Sequence, residues 1–347
     1  MEILGLDKDF NVACQLYPTN TQWNRKYYEA GDFVVTSPAE QYSADITYIY
    51  SKELQELGMA QKVNWKGSSS GNTVSIEGFF YEKILDDDVI YPTFYGKGNI
   101  NDVIKSMINT YASIEMEFDL DTNLQETVDF QETGTSLGEK LYELLQLYEY
   151  SYSINYDFEA NKFIFRTYKG IDATQSNTEG NNFITFATTW QNLTNPDVIT
   201  DDSDFKNFAI VAGEGEAEER IVVEVDHSNG GKKKKLFVDA KSDRYDSSKQ
   251  TLEEYKNGLI QKGEEELLDH VQITNVNFDP LLTGYEYHTD YDLGTKCEAI
   301  IEDMGLQVQG RIIEIHEVWK AGQHTLEIEL GNQILSKIKK LERKVML

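Results

Sequence analysis

The chain is poor in cysteine and proline. It has two cysteines, Cys14 and Cys297, and five prolines among 347 residues. Neither cysteine stands in a CxxC or another metal-ligand spacing, which argues against a zinc site built on them. In a reducing compartment two buried thiols are favoured over a disulfide. With so few prolines and only 24 glycines, the chain is not a low-complexity linker or a collagen-like segment.

Long apolar runs are also missing. The first ten residues, MEILGLDKDF, contain neither the cationic region nor the apolar region of a signal peptide. No apolar run approaches the length that is needed to cross a bilayer. We therefore expect a protein that is made in the cytoplasm and that does not insert into membranes.

Positive charge is scarce, with 32 basic side chains against 60 acidic ones and a net charge of −28. Affinity for DNA comes mostly from cations that displace counterions from the phosphates, so tight nucleic-acid binding is not expected. The acidic surface fits either simple solubility or a wall along which DNA passes without sticking. The one basic block, Lys232–Lys235, follows two glycines and predicts an exposed hairpin tip.

The sequence contains no pattern that is typical of a catalytic site. Gly67–Gly71 spells GxSxG, but the residues after it predict a strand, whereas a nucleophile elbow requires a helix there. The five histidines form no HExxH or comparable ligand pair, and His316 and His324 are predicted to be cross-strand neighbours. We predict no catalytic, metal-binding or cofactor-binding residues. A glycosidase carboxylate pair stays open, since sequence does not give the separation that defines one.

What the chain does contain is short strands, interrupted by two helical regions. The first ninety residues predict a small barrel or sandwich, with strands at Val12–Leu16, Asp32–Thr36, Ile46–Tyr50 and Val74–Tyr81. Apolar spacing predicts helices over 101–113, 137–148 and 248–270, with Asn99 or Asn101 capping the first. In the third helix, Leu252, Tyr255, Leu259, Leu267 and Leu268 are predicted to be buried. A hairpin is expected over 150–167, strands at 183–188, 208–212 and 221–225, and a meander over 295–330.

The stretch WNRKYYEAGDFVV, Trp23–Val35, allows two interpretations. Arginine and lysine beside three aromatic residues could form a patch that binds nucleic acid. The same residues also fit the end of one strand, a turn at Gly31 and the start of another. The charge of −28 favours the second interpretation.

Three segments in this order carry a family resemblance: Trp23–Val35, then Phe163–Asp172, which ends in Gly-x-Asp, then Tyr291–Gly294 followed by Gly310–Ile315. They resemble the tail hub proteins of long-tailed bacteriophages and prophages of Gram-positive hosts. Those proteins are related to the baseplate hub of contractile tails and to the hub portion of type VI secretion spikes. The resemblance spans essentially the whole chain. Thr295 departs from it, since the family often has an acidic residue there.

The resemblance implies a mainly β fold with α+β insertions, made of two similar small β-barrels and two peripheral domains. It places the first barrel at 1–95, an α+β domain at 96–179 and the second barrel at 180–235 plus 288–332. An inserted helix-bearing domain would cover 236–287. A carboxy-terminal helix would cover 333–347.

The function implied is structural: three copies form a ring at the distal end of the tail tube. The ring would match the symmetry of the tube to the tip, dock fibre, spike or tape-measure proteins and let DNA pass. The localisation implied is the virion tail. Interface candidates are the residues Trp23, Arg25, Tyr27, Tyr28, Ile334, Ile338, Leu341 and Val345. The alternatives are a tail-associated cell-wall hydrolase, either a peptidase or a glycosidase, and the hub of a bacterial contractile injection particle.

Overall fold

The chain folds into a mainly β structure with several sheets, and this part of the predicted fold class is confirmed. The computed structural model describes residues 2–69, 71–216, 219–281 and 284–331. Three α-helices lie within these ranges. None of the described helices is long and apolar enough to span a membrane.

The first part of the chain is all β. Its strands are β1 (Ile3–Leu6), β2 (Val12–Leu16), β3 (Asn20–Lys26), β4 (Asp32–Pro38), β5 (Tyr48–Ser51), β6 (Glu56–Lys66) and β7 (Thr73–Phe80). Trp23 pairs with Phe33 across β3 and β4, so the Trp23–Val35 stretch is strand, turn and strand. Strands β6 and β7, which flank the GxSxG segment, pair as a hairpin, as predicted.

Two helices and five strands follow. They are β8 (Phe94–Asn99), α1 (Ile100–Tyr111), β9 (Met116–Asp119), β10 (Thr127–Glu132), α2 (Leu137–Gln146), β11 (Ser151–Asp157) and β12 (Lys162–Tyr168). Asn99 caps α1 by accepting a hydrogen bond from the amide of Asn101 at 3.0 Å, and Ser136 caps α2. The predicted hairpin is confirmed, with Tyr156 opposite Phe163.

The remaining elements return to β structure around one long helix. They are β13 (Thr185–Ala187), β14 (Leu193–Asp201), β15 (Phe208–Ala212), β16 (Val222–Asp226), β17 (Lys235–Asp239), α3 (Leu252–Leu268), β18 (Ile273–Pro280), β19 (Lys296–Ile301), β20 (Leu306–Lys320) and β21 (Gln323–Gly331). A capping box between Thr251 and Glu254 starts α3.

Two of the details expected for this region are wrong. Leu252 and Leu268 are not buried as predicted: Leu252 is exposed and Leu268 is partly buried, because they are the first and last residues of α3 and the residues that the helix buries lie between them. The lysines 232–235 do not form a hairpin tip, since β16 and β17 do not pair with each other. Both pair with β15, β16 antiparallel and β17 parallel, so lysines 232–234 lie in the crossover between β16 and β17, and Lys235 begins β17.

Thirteen strands form one continuous sheet, in the order β14-β18-β21-β20-β3-β4-β7-β6-β5-β1-β2, with β19 beside β20 and β13 beside β19. Within the described residues the pairings leave this sheet open. The order contains a repeat. We call β14-β18-β21-β20, with β19, the second strand unit, and β3-β4-β7-β6, with β5, the first strand unit. In each unit a long strand pairs with a hairpin partner on one edge and with a short strand on the other edge.

The two helical regions pack on separate small sheets and on each other. Helix α3 covers the sheet β16-β15-β17 and buries Tyr255, Leu259 and Leu267 there. Its other side meets α2 and β10 through Lys140, whose side chain is 2% exposed. The Lys140 ammonium lies 2.7 Å from Glu265 of α3 and 4.8 Å from the ring centre of Phe130. A lysine so buried remains charged because carboxylates surround it.

Replacement of two glycines in α3 by alanine should change the stability of the chain in opposite directions. At Gly263 a Cβ atom would lie 2.8 Å from methyl groups of Val211 and Val225, whereas at Gly258 the nearest atom would be 3.4 Å away. Alanine favours a helix by about 1 kcal/mol over glycine, and overpacking costs about 1–3 kcal/mol. We expect Gly258→Ala to raise the free energy of unfolding by up to about 1 kcal/mol and Gly263→Ala to lower it. Denaturant titration of both variants measures this, and equal effects would contradict the packing described.

Candidate junction between the two strand units

The two strand units meet where β3 pairs antiparallel with β20, from Lys26 opposite Glu314 to Asn20 opposite Lys320. We call this pairing, together with Tyr27, Gly170, Gly294 and Arg311 beside it, the junction. No sequence pattern predicts this pairing, because its two strands are almost 300 residues apart. The sequence indicates each strand but not their contact.

Arg25 lies on β3 with a side chain that is 12% exposed, among three carboxylates from different parts of the chain. Its guanidinium is 3.2 Å from Asp292 and 3.7 Å from both Glu56 and Glu317. The ring of Tyr287 adds a cation–π contact at 5.3 Å. The guanidinium therefore links the long strand of each unit, β6 and β20, with the segment before β19.

These carboxylates have further partners. The indole N–H of Trp23 donates to Glu56, and the hydroxyl of Tyr287 donates to Glu317 at 3.0 Å. Burial raises the pKa of Glu56 and of Glu317, and the charge of Arg25 offsets part of that rise. Burial would also raise the pKa of Asp292, but the hydrogen bond with His288 at 3.0 Å and the charge of Arg25 lower it overall.

His324 also binds Glu317, at 3.0 Å. The prediction that His316 and His324 are cross-strand neighbours is wrong. Trp319 stands opposite His324, and Glu327 stands opposite His316. The turn between β20 and β21 has only two residues, Ala321 and Gly322, both at positive φ, and this short turn sets the register.

A second cluster surrounds Tyr27, which has no exposed surface. Its hydroxyl donates to the carbonyl of Glu149 at 3.0 Å and accepts from the amide of Gly170 at 3.3 Å. Gly170 and Gly294 touch backbone to backbone, since a Cβ atom on Gly170 would lie 2.0 Å from the carbonyl of Gly294. Only glycine allows that approach.

Arg311 lies above the Tyr27 ring at 5.4 Å and completes this cluster. It donates to the carbonyls of Gly170 and Gly294 and to the carboxylate of Glu149 at 3.0 Å. The three segments that carry the family resemblance thus contribute Tyr27, Gly170, Gly294 and Arg311 to one place. Thr295, the departure from the family pattern, is buried and accepts a hydrogen bond from the amide of Asp292 at 3.0 Å.

The predicted interface residues fall into two groups. Trp23, Arg25 and Tyr27 make their contacts inside the chain, while Tyr28 is partly buried and packs edge-on against Tyr27. Burial raises the pKa of Tyr28 to about 12. The residues Ile334, Ile338, Leu341 and Val345 lie outside the described residues. Contacts of these eight residues with a neighbouring subunit stay a prediction.

A cleft of about 530 Å³ opens beside the junction. It is lined by Arg25, Glu56, Glu82, Tyr168 and Asp292, among others. Burial raises the pKa of Glu82 to about 7, although the amide of Ile154 donates to its carboxylate at 2.9 Å. Among the described residues, no group of histidine, cysteine and carboxylate side chains is arranged to hold a metal ion. Sequence reasoning missed Glu56 and Glu82, because nothing local distinguishes them. It noted Arg311 only as part of the Gly310–Ile315 segment and gave it no role.

Comparison with known proteins gives a family and a fold. The model of the Siphovirus ReqiPepy6 Gp37-like protein family matches residues 2–332. Comparison with curated protein sequences gives no match. Among solved structures, prophage tail protein gp18 from Listeria monocytogenes EGD-e is similar with a TM-score of 0.59 and 14% identity, over 100% of this chain and 99% of that one.

Two further tail proteins are similar in fold. The tail protein from Neisseria meningitidis MC58 has a TM-score of 0.58 and 11% identity, over 95% of each chain. The 43 kDa tail protein of prophage MuSo2 from Shewanella oneidensis has a TM-score of 0.55 and 13% identity, over 95% of this chain and 98% of that one.

Removing Arg25 should destabilise the chain strongly, because Arg25→Ala leaves buried carboxylates without their cation. We expect a loss of about 3–5 kcal/mol in the free energy of unfolding. Arg166→Ala is the matched control, since Arg166 is 54% exposed and forms a surface ion pair with Asp119. Its loss should cost at most about 1 kcal/mol. Denaturant titration checks both variants, and an equal cost would mean that the junction does not depend on Arg25.

Glu82 should make stability depend on pH. Its folded pKa of about 7 lies above the ordinary value of 4.5, so between these values the folded chain holds a proton that the unfolded chain has released. The stability due to Glu82 is therefore complete below about pH 4.5 and is lost as the pH rises through about 7.

The variant Glu82→Gln stays neutral and can still accept from the amide of Ile154. Its unfolding free energy relative to the parent chain should therefore rise through that window and level off above it. Titrations at several pH values measure the difference, with the exposed Glu115→Gln as control. A difference that does not change with pH would show that Glu82 ionises as in water.

Proposed function

Because this chain belongs to the family of Siphovirus ReqiPepy6 Gp37-like proteins, which confirms the resemblance to phage tail hub proteins, we propose that it forms the hub at the distal end of the tail tube. Three copies form a ring in this proposal. The ring adapts the tube to the tip of the virion tail, and its subunits are made in the cytoplasm of the bacterial host.

The observation that carries this proposal is the repeat in the strand order. Each chain has two strand units of the same connectivity in one sheet, so three chains supply six similar positions around an axis. We propose that each unit is a small barrel and that a rotation of about 60° relates the two, as a six-position ring requires. The buried ion pairs of the junction support this, since they hold the units in one fixed relation.

The proposed domains follow the expected division with one change. We retain 1–95 and 96–179. The change is in the inserted domain, for which we propose 208–272, so that 180–207 with 273–332 form the second barrel and β18 stays in the second strand unit. The inserted domain then begins at β15, because β15 pairs with both β16 and β17 in the small sheet that α3 covers. The segment 333–347 lies beyond the described residues. Its proposed role is a helix that contacts a neighbouring subunit or the next tail protein.

The charge supports a conduit. A lumen lined with carboxylates repels phosphates, so DNA passes without binding, and the chain has 60 acidic side chains against 32 basic ones. The proposed partners are two further copies, the distal tail and tube proteins, and a fibre, spike or tape-measure protein. The proposal gives the chain no enzymatic activity and no cofactor.

A ring can be tested directly. The chain is mixed with tail tubes purified from the phage or prophage that encodes it, and the tube ends are imaged by electron microscopy. We expect threefold class averages with six similar lobes around an open channel. Tubes without the chain are the control. Twofold particles, or tube ends that never acquire density, would contradict the proposal.

The alternative of a cell-wall hydrolase has one observation in its favour. The cleft beside the junction contains Glu82, whose pKa of about 7 suits a general acid, near the carboxylates of Glu56 and Asp292. Sugars or peptides released from purified cell walls, and lost with Glu82→Gln, would favour it over the hub. An injection-particle hub differs from a phage hub in its neighbouring genes, which identify the assembly.

A further inference from the structure

Within the part of the chain that the structure describes, the junction is an edge contact that occurs once, and a matching pair of strand edges there has no strand beside it. At the junction the edge strand of the first unit, β3, lies along the outer edge of the long strand of the second unit, β20. The corresponding edge strand of the second unit is β14, which pairs only with β18 among the described strands. The corresponding long strand is β6.

No described strand pairs with the matching edge of β6 beyond Ala60. Strand β5 covers β6 only from Glu56 to Met59, and β7 pairs with the opposite edge. Residues 61–66 are all exposed. Strand β19 covers β20 in the same way over its first part, and β3 occupies the rest of that edge. In the second unit β3 thus lies beside the later part of β20, whereas no described strand lies beside the corresponding part of β6 in the first unit.

The two units can be aligned residue by residue through their bulges. Pairing with the hairpin partner shifts between Ala60 and Lys62 in β6, and between Ile312 and Glu314 in β20. After the shift Lys62 stands opposite Glu77, and Glu314 stands opposite Glu329. Lys62 therefore corresponds to Glu314.

The edge strands align through the same hairpin partners. Glu77 stands opposite Val34 of β4, and Val34 stands opposite Gln22 of β3. In the second unit Glu329 stands opposite Asn277 of β18, and Asn277 stands opposite Asp197 of β14. Asp197 therefore corresponds to Gln22. Four residues further along each strand, Asp201 corresponds to Lys26.

This alignment predicts the register of a contact between copies. Lys26 stands opposite Glu314, and Gln22 stands opposite Val318 at the junction. The corresponding pairs between β14 and β6 are Asp201 opposite Lys62 and Asp197 opposite Lys66. Both are opposite charges, although charge played no part in the alignment. The junction pair that corresponds to Asp201 and Lys62 is Lys26 with Glu314, which also have opposite charges. There the cation is on the edge strand and the carboxylate is on the long strand.

The apolar residues agree with the same register. On the other face of the two strands, Trp65, which is 59% exposed, comes opposite Val198. Val63, which is 44% exposed, comes opposite Thr200. Aromatic and β-branched cross-strand pairs stabilise a sheet. An exposed tryptophan on an unpaired strand edge is otherwise a liability for aggregation.

We propose that residues 62–66 of β6 in one copy pair antiparallel with residues 197–201 of β14 in a second copy of this chain, Lys62 opposite Asp201. This rests on the proposed function and deepens it, because it names the surfaces through which the copies meet. Each copy offers one edge of each kind, so the contact is head-to-tail. Such contacts form a closed ring when the rotation between copies closes.

The register can be tested with cysteines. A chain with Asn64→Cys is mixed with a chain with Ile199→Cys, two positions that the register places opposite each other, and the mixture is oxidised. Heterodimers should exceed both homodimers at least tenfold. The matched control replaces Ile199→Cys by Thr200→Cys, one residue along and on the other face. The parent chain measures the background from Cys14.

Charge reversal gives the second readout. A chain with Lys62→Glu and Lys66→Glu should lose the cross-link to an unchanged β14 at least tenfold. The cross-link should return with a partner that carries Asp197→Lys and Asp201→Lys. Circular dichroism of each variant checks its fold.

The outcomes separate this inference from the hub proposal. If no excess of heterodimer forms at any concentration reached, the strand pairing is wrong. If sedimentation detects oligomers that lack this cross-link, the hub proposal still stands. Equal cross-linking at Ile199 and Thr200 also overturns the register. A specific cross-link in open-ended chains of subunits would support the pairing and contradict the ring.

Discussion

The structure depends on the antiparallel pairing of β3 with β20, which makes one sheet from two distant parts of the chain. The pairing brings charged groups out of water, and such groups are stable only when each finds a partner. Arg25 satisfies carboxylates from both strand units, and Arg311 satisfies two glycine carbonyls and Glu149. These contacts link the relative position of the units to the charge state of a few side chains.

Close backbone contact makes the second cluster equally specific. Gly170 and Gly294 approach each other without side chains, and the Tyr27 hydroxyl takes a hydrogen bond from the Gly170 amide. The segments of the family resemblance are therefore structural in this chain. They contribute a tyrosine, two glycines and an arginine to one contact, and this accounts for turns and strand ends carrying the resemblance without any catalytic signature.

The proposed hub role requires a body that keeps its shape while partners bind to it. A sheet that continues through both units suits this, because bending it would break main-chain hydrogen bonds as well as buried ion pairs. The helical units sit outside this sheet and are joined to each other through Lys140, Glu265 and Phe130. Most residues of β14 and residues 61–66 of β6 are exposed, and we propose that these edges pair between neighbouring copies.

The sequence by itself determined the features that depend on a few neighbouring residues: the Asn99 cap, the apolar stripe of α2, the hairpin after it and the strand-turn-strand at Trp23–Val35. It also indicated the family and a mainly β fold. Only the tertiary structure decided that Arg25 meets Asp292, 267 residues away, and that Lys140 is buried. Propensity and periodicity act over one or two turns of chain. The partners of a buried charge and the order of strands depend on the whole fold.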